Sequence, residues 1–478
     1  MKSFTHQVRL ITFDNVKSAA KSNMTPSSII RSLFLAAAAC LAVPSRAQTD
    51  PPAPVPQPVG VVARTTKPTG VYLVGDKIKV RIQTRDGATD AVTQVEYTAK
   101  LHDAKVVAAG KLELTNHVAE FQTSLDEPGS LLFTVSGTTI SGRKFTTYAG
   151  AAADYKNIRW SLPLPDDFDV FWEGKIAESK QLPLNPKLET VALANEAAID
   201  YYKLTLDNIN GSHVFGQLAR PKTPGKFPAI LLVQYAGVYP LKRENVTGLA
   251  RDGWLVLNIS AHAVPFDLPE SEFQKLADTT LKDYTAIGQT NRETSYFLRM
   301  FLGCQRAAEY LTTRADWNGK ILVVKGASQG GLQSIVTAAL CPKVSAIMIL
   351  EPAGCGNTAQ QIGRGWGWPY WQAHANGPDA GKIMNTSRYF DGINFAHRVK
   401  CPALVGPGLM ETTCPASNVF AMCNRLGGPV EVVVLPEAGH QAPKTDTHGE
   451  TPFNQRAAEW LRALKTGQPV PVAHGQPQ

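Results

Sequence analysis

At 478 residues, with 44% hydrophobic and 18% charged residues, the chain is long enough for two or three folded domains and too apolar to be disordered. The formal charge of +8 makes no case for a nucleic-acid partner, because six basic residues against Asp14 before Gln48 account for +5 and leave +3. Of the seven cysteines, six follow Gln48, and none is arranged as C-x-x-C or has a histidine at ligand spacing. No metal site is expected, and most of these cysteines read as small buried hydrophobes, although an even number permits disulfides.

Residues 1–47 read as a signal peptide. Arg31 precedes an apolar run over 33–43, closed by the small-x-small sequence Ser45-Arg46-Ala47. The leader is long, so Met24 is an alternative start. The run is too short to span a bilayer, and no later stretch is long enough. Export to the periplasm or the medium follows. Lipid attachment at Cys40 is the weaker alternative, since the residues before it fit that signal poorly.

Residues 48–58, "QTDPPAPVPQP", form an extended proline-rich linker. Residues 59–150 have β texture. In "KIKVRIQT", Ile78, Val80 and Ile82 share one face, Val95 pairs with Tyr97 in "QVEY", and Asp86-Gly87 and Pro128-Gly129 mark turns. Short alternating strands of this kind predict a small immunoglobulin-like β-sandwich. No catalytic candidate stands out there, so it reads as a spacer or packing domain, dispensable for chemistry on small esters, with carbohydrate binding as the alternative.

After Ala153 the pattern changes. "DDFDVFWEGKIAES" predicts a helix with Phe168, Phe171, Trp172 and Ile176 on one stripe. Apolar runs at 229–235, 254–260, 320–326, 345–351, 401–407 and 430–436 then alternate with helical segments, which predicts a mainly parallel sheet covered on both faces. An amphipathic helix carrying Phe453, Ala457, Trp460, Leu461 and Leu464 closes a domain spanning 154–466, and 467–478 is a polar tail.

The chemistry gathers around "KGASQGGLQS". Gly326-x-Ser328-x-Gly330 is weak as a bare pattern. Here it follows an interior strand and precedes a helix over 329–340, the context of a nucleophile elbow, where a strained turn presents the serine hydroxyl. A serine needs a base, and in this architecture the order is Ser, then Asp or Glu, then His, on loops at the carboxyl ends of strands. His440, in "LPEAGHQ", lies just past the last apolar run; Glu411, in "GPGLMETTCP", lies past the run before it. Glu351, at the end of "MILE", is an alternative acid that strand position alone does not separate from Glu411. His262, His374, His397 and His448 lack such a position and suit surface or core roles. The oxyanion donors expected are the N–H of Gln329 and, from the loop after 229–235, that of Val238. Trp366, Trp368, Tyr370 and Trp371, in "GRGWGWPYWQ", are candidates for stacking on sugar rings, or for lid and core packing.

From about Pro163 to Trp460 the chain resembles the acetyl xylan esterase/cephalosporin C deacetylase family, carbohydrate esterase family seven of the α/β-hydrolases. "LPDDFDVFWEGKIAESKQLPLNP" is similar to the helix that opens the family's domain, "GASQGG" to its nucleophile motif, "RYFDGINFAHRVKCPALVGPGLMETTCPAS" to its acid region, and "AGH" to its base. The resemblance implies an α/β-hydrolase fold and a triad of Ser328, His440 and Glu411, with Gln329 and Val238 at the oxyanion. It implies a cofactor-independent serine esterase that removes acetyl or other small acyl groups from saccharides. Four departures are visible: Glu411 replaces the usual Asp, Ala261-His262-Ala263 an Arg-Gly-Gln, Ala236-Gly237-Val238 a His-Gly-Tyr, and His440-Gln441 a His-Glu. They leave the triad intact, but the family's substrate range and ring-shaped oligomer do not carry over to this chain from the resemblance alone. Competing readings are a non-catalytic polysaccharide-binding protein on the same fold and a serine peptidase.

Overall fold

The computed structural model describes residues 60–84, 90–194, 196–440 and 447–470. The signal peptide, all of the proline-rich linker, residues 471–478 of the polar tail, and Gln441 lie outside the described residues. No described helix is long and apolar enough to cross a membrane.

The amino-terminal part is a sandwich of two sheets. β1 (Val61–Thr65), β3 (Ile78–Thr84) and β6 (Val118–Thr123) form one; β2 (Val71–Tyr72), β8 (Lys144–Ala153), β7 (Gly129–Thr138), β4 (Gln94–Leu101) and β5 (Lys105–Glu113) form the other. The period-two pattern of β3 has its expected consequence, since Ile78, Val80 and Ile82 are all fully buried against Val95, Phe121, Phe133 and Val135. The last strand runs three residues beyond the expected boundary at 150, and the Asp154 carboxylate then accepts the Val74 N–H.

The second part is built on a nine-stranded sheet. In chain order it comprises α1 (Phe168–Gln181), β9 (Lys187–Thr190), β10 (Ile199–Asp207), β11 (His213–Pro221), β12 (Phe227–Val233), α2 (Glu244–Arg251), β13 (Leu255–Ile259), α3 (Glu270–Asp278), α4 (Tyr296–Thr313), β14 (Trp317–Ala327), α5 (Gln329–Leu340) and β15 (Ala346–Leu350). It continues with α6 (Trp371–His374), α7 (Ala380–Ser387), α8 (Gly392–Ala396), β16 (Ala403–Gly406), α9 (Ala416–Cys423), β17 (Val430–Val432) and α10 (Thr451–Lys465). The sheet order is β17-β16-β15-β14-β12-β13-β11-β10-β9, parallel from β17 to β13 and antiparallel beyond. The six apolar runs correspond to β12 to β17. The antiparallel β9, β10 and β11 were not among the expected strands, and Asn210-Gly211 turns the chain between the last two.

Alternate residues of the central strands feed two cores. Leu231, Val324 and Ile347 pack toward Phe301 and Ile335 of α4 and α5, whereas Ile230, Val323 and Met348 pack toward Val246 and Trp460 of α2 and α10. Such strands carry no polar face, hence their continuous apolar sequence. Arg306 is fully buried because α1 ends beside it: its guanidinium donates to the carbonyls of Ser179, Leu182 and Pro183 at that helix end, and to the Asp207 carbonyl.

Candidate active site

β14 passes into α5 through one residue, Ser328, at φ 54 and ψ −121. That conformation is unfavourable for a residue with a side chain, and its surroundings enforce it. A Cβ on Gly326 would lie 2.5 Å from the Gly330 carbonyl group, one on Gly330 2.7 Å from the Val233 oxygen, and one on Gly331 2.8 Å from Pro352. The glycines therefore let the strand, the helix and two neighbouring segments close around a turn that presents the Ser328 hydroxyl.

His440 follows β17 and Glu411 follows β16, and the chain brings both to Ser328. His440 Nε2 lies 3.0 Å from Ser328 Oγ, and His440 Nδ1 lies 2.7 Å from Glu411 Oε1. The same Oε1 accepts the His440 backbone N–H at 2.6 Å, and Oε2 accepts the Cys414 N–H at 3.0 Å. Glu411 is 1% exposed and sits among three N–H donors. With Nδ1–H donated to the carboxylate, Nε2 keeps its lone pair toward the hydroxyl. Burial pulls the His440 pKa down, but the hydrogen bond and charge of Glu411 outweigh it and hold the imidazole above its ordinary value of 6.5.

Glu351 stands at the end of β15, as the sequence suggested, but its nearer oxygen is 3.6 Å from His440 Nδ1, beyond a hydrogen bond. Its Oε1 is buried without a partner. Burial and the Glu411 charge push its pKa up to about 9, so it is a neutral acid. Cys414 completes the cluster, and the ligating-type atoms of Glu411, Cys414 and His440 lie within 4.8 Å of one another. The fit to a metal is poor. The thiol is pushed well above its usual pKa by burial and by Glu411, and the carboxylate and Nδ1 already engage each other.

Of the two expected oxyanion donors, Gln329 N–H opens α5 and Val238 N–H lies beyond β12; neither donates to another group among the described residues. The loop around Val238 is fixed by side chains that sequence reasoning missed. Tyr284 donates to Gln329 Oε1 at 2.6 Å and accepts the Gly237 N–H at 3.4 Å. His262, 1% exposed, donates Nε2–H to the Gly237 carbonyl at 2.9 Å and accepts from Tyr296 at Nδ1. Burial lowers its pKa to about 4, so it stays neutral. The only sequence signal was its place in Ala261-His262-Ala263.

The aromatic segment divides. Trp371 does not face a ligand: it is 3% exposed, stacked on Phe390 and tilted against Phe297, because it opens α6 on the side of the core. Trp368 is half-buried against Phe297. Tyr370 is exposed, with Trp366 edge-on to it at 5.9 Å. The segment rests on the loop of Glu411, where Trp368 N–H donates to the Thr413 carbonyl at 2.8 Å. All six cysteines from Cys304 to Cys423 are free thiols, and all but Cys401 are buried.

The sequence pattern of the acetyl xylan esterase (AXE1) family matches residues 152–461. A relative, acetyl esterase Axe7A of Xylanibacter ruminicola, is 27% identical over 398 residues, covering 82% of this chain and 88% of its own. Two solved structures share the fold. An acetyl xylan esterase from Paenibacillus sp. R4 is 23% identical with a TM-score of 0.52, over 65% of this chain and 98% of its own. Acetyl xylan esterase 1 from Thermoanaerobacterium sp. JW/SL YS485 is 20% identical with a TM-score of 0.52, over 63% and 96%. With an α/β-hydrolase sheet and a match across most of its length, the chain belongs to the acetyl xylan esterase family and is a carboxylic-ester hydrolase.

Proposed function

We propose that the protein is an exported serine esterase that removes acetyl groups from saccharides such as acetylated xylan or xylo-oligosaccharides, with Ser328, His440 and Glu411 as its triad. The observation that carries this reading is the continuous chain from Ser328 Oγ to His440 Nε2 at 3.0 Å and from His440 Nδ1 to Glu411 Oε1 at 2.7 Å. Ser328 Oγ attacks the acetyl carbonyl carbon as its proton passes to Nε2. The oxygen, now negative, is met by the N–H groups of Gln329 and Val238. The imidazolium, held by Glu411, returns the proton to the sugar oxygen as that bond breaks, leaving acetyl on Ser328. Water, deprotonated by the same imidazole, then releases acetate. Export is supported by the basic, apolar and small-x-small sequence before Gln48. A saccharide substrate is supported by the names of the relatives and by Trp366 and Tyr370 beside the acid loop, where a ring face can stack.

The test is acetate release from acetylated xylan and xylo-oligosaccharides by the wild type and by Ser328→Ala. Release that disappears by several orders of magnitude in the variant is expected. An unimpaired Ser328→Ala enzyme refutes the nucleophile; hydrolysis confined to peptides or non-saccharide esters refutes the substrate class.

A further inference from the structure

The loop that carries Glu411 runs between β16 and α9, and the amino-terminal sandwich grips it on both sides of that residue. On the near side, β8 approaches at Gly150: a Cβ there would lie 2.3 Å from the Leu409 carbonyl oxygen, closer than any real Cβ contact. Gly70, at φ 64, accommodates the Leu409 side chain, which would meet an added Cβ at 2.8 Å. On the far side, Ser417 in the first turn of α9 is fully buried among sandwich groups. Its Oγ lies 2.6 Å from His102 Nδ1 and 2.6 Å from Ser130 Oγ, and accepts the Ser130 N–H at 3.1 Å.

A third contact runs through the turn joining β4 to β5. His102 and Asp103 adopt φ of 54 and 60 there, and the His102 carbonyl accepts the Gly365 N–H at 2.7 Å. Gly365 begins the aromatic segment. Two residues later, a Cβ on Gly367 would lie 2.2 Å from the Thr413 oxygen, so that segment is wedged between the sandwich turn and the acid loop. The exposed ion pair of Arg64 with Glu437 is different in kind, because solvent leaves it little energy.

These contacts do not suit a spacer. Close backbone approaches at Gly150 and Gly367 leave no slack, and a buried hydroxyl network is specific only when every member is present. A carboxylate must be held to within a fraction of an ångström to keep its hydrogen bond to a base. We propose that the sandwich is a positioning element of the catalytic centre: it fixes residues 409–417 so that Glu411 meets His440. This rests on the triad assigned above, with Ser417, Gly150 and His102 as positioning residues that touch no substrate.

The test uses the full-length enzyme with Ser417→Ala and Gly150→Ala, assayed on an aryl acetate too small to reach the sandwich. The expected result is a fall in kcat of about tenfold or more with KM little changed, as for an interaction expressed in the transition state. The acid limb of kcat/KM should also move to lower pH. The groups facing His440 are Glu411, Glu351, Glu450 and Cys414, and the Glu411 charge in turn acts on Asp103 of the sandwich. Among them Glu411 supplies the hydrogen bond that raises the imidazole, so a loosened Glu411 lets it fall. Arg64→Gln, at the exposed contact, should stay within about twofold of wild type. If Gly150→Ala does not fold, Ser417→Ala decides. A folded Ser417→Ala enzyme with wild-type kcat and acid limb overturns the proposal while leaving the triad standing; an active Ser328→Ala enzyme overturns the triad instead.

Discussion

Replacing Glu411 by glutamine tests which acidic side chain serves the imidazole. In the wild type, Glu411 Oε1 is 2.7 Å from Nδ1, which puts the two charge centres about 4 Å apart when His440 is protonated. At an effective dielectric of about 20 that attraction is worth about 4 kcal/mol, or about three decades in rate. The amide also disturbs the tautomer, since an NH₂ turned toward Nδ1 forces the proton onto Nε2, away from the role of base. Glu411→Gln should therefore lose about 10³- to 10⁴-fold in kcat, with KM changed far less. Glu351→Gln exchanges a neutral acid 3.6 Å from Nδ1 for a neutral amide of the same shape, and should lose less than about tenfold. Initial rates on 4-nitrophenyl acetate, with circular dichroism to verify folding, separate the two. A Glu351→Gln enzyme as impaired as Glu411→Gln would refute the reasoning.

Two further outcomes follow from protonation. Because His440 is held above 6.5 and must be neutral to act as base, the acid limb of kcat/KM should have its midpoint above pH 6.5; a midpoint below that value contradicts the arrangement. Burial, with the Glu411 charge behind it, raises Asp103 from 3.8 to about 8, so the unfolded chain loses this proton long before the folded one, and wild-type stability falls from about pH 4 to about pH 8. Asp103→Asn removes that dependence: its Tm advantage over the wild type should grow across this window and level off above it, and an advantage constant with pH would count against the buried neutral acid.

What was legible in the sequence is what local sterics and strand position encode. Gly326, Gly330 and Gly331 had to be glycine for the turn at Ser328 to close, so the elbow could be read from the motif in its strand–helix context. His440 was reachable because only one strand end near the carboxyl terminus carries a histidine. The parallel strands announced themselves through continuous apolar runs, whereas β10, with Ile199, Tyr201, Leu204 and Leu206 buried between half-exposed residues, has the weaker signature of a strand covered on one face. Its turn to β11 at Asn210-Gly211 was the available signal. Other features depend on residues distant in sequence. Tyr284 and His262 matter because of where Gly237 lies, and Trp371 differs from Tyr370 only in the side of a short helix onto which it falls. The sandwich looked separable because none of its residues belongs to the proposed triad, yet its contacts to Leu409 and Ser417 are tertiary and leave no trace in a local pattern.

The choice between Glu411 and Glu351 has a physical basis that also bears on the sandwich. Glu351 and Asp103 are both buried near Glu411, and its charge raises the cost of ionising each of them. Only one negative charge is readily supported, and the donors determine where it resides. Glu411 receives three N–H groups, whereas Glu351 Oε1 and Asp103 Oδ1 are buried without partners. Two neutral acids beside one carboxylate keep the environments of the three apart, the arrangement by which carboxyl groups in one site are given different roles. The backbone donors to Glu411 come from Cys414 and His440, so the charge stays in place only while the acid and base loops stay in register. Under the positioning role proposed for the sandwich, that register is set on one side by β17 and on the other by the sandwich, so the Glu411–His440 contact would depend on a domain that contributes neither residue.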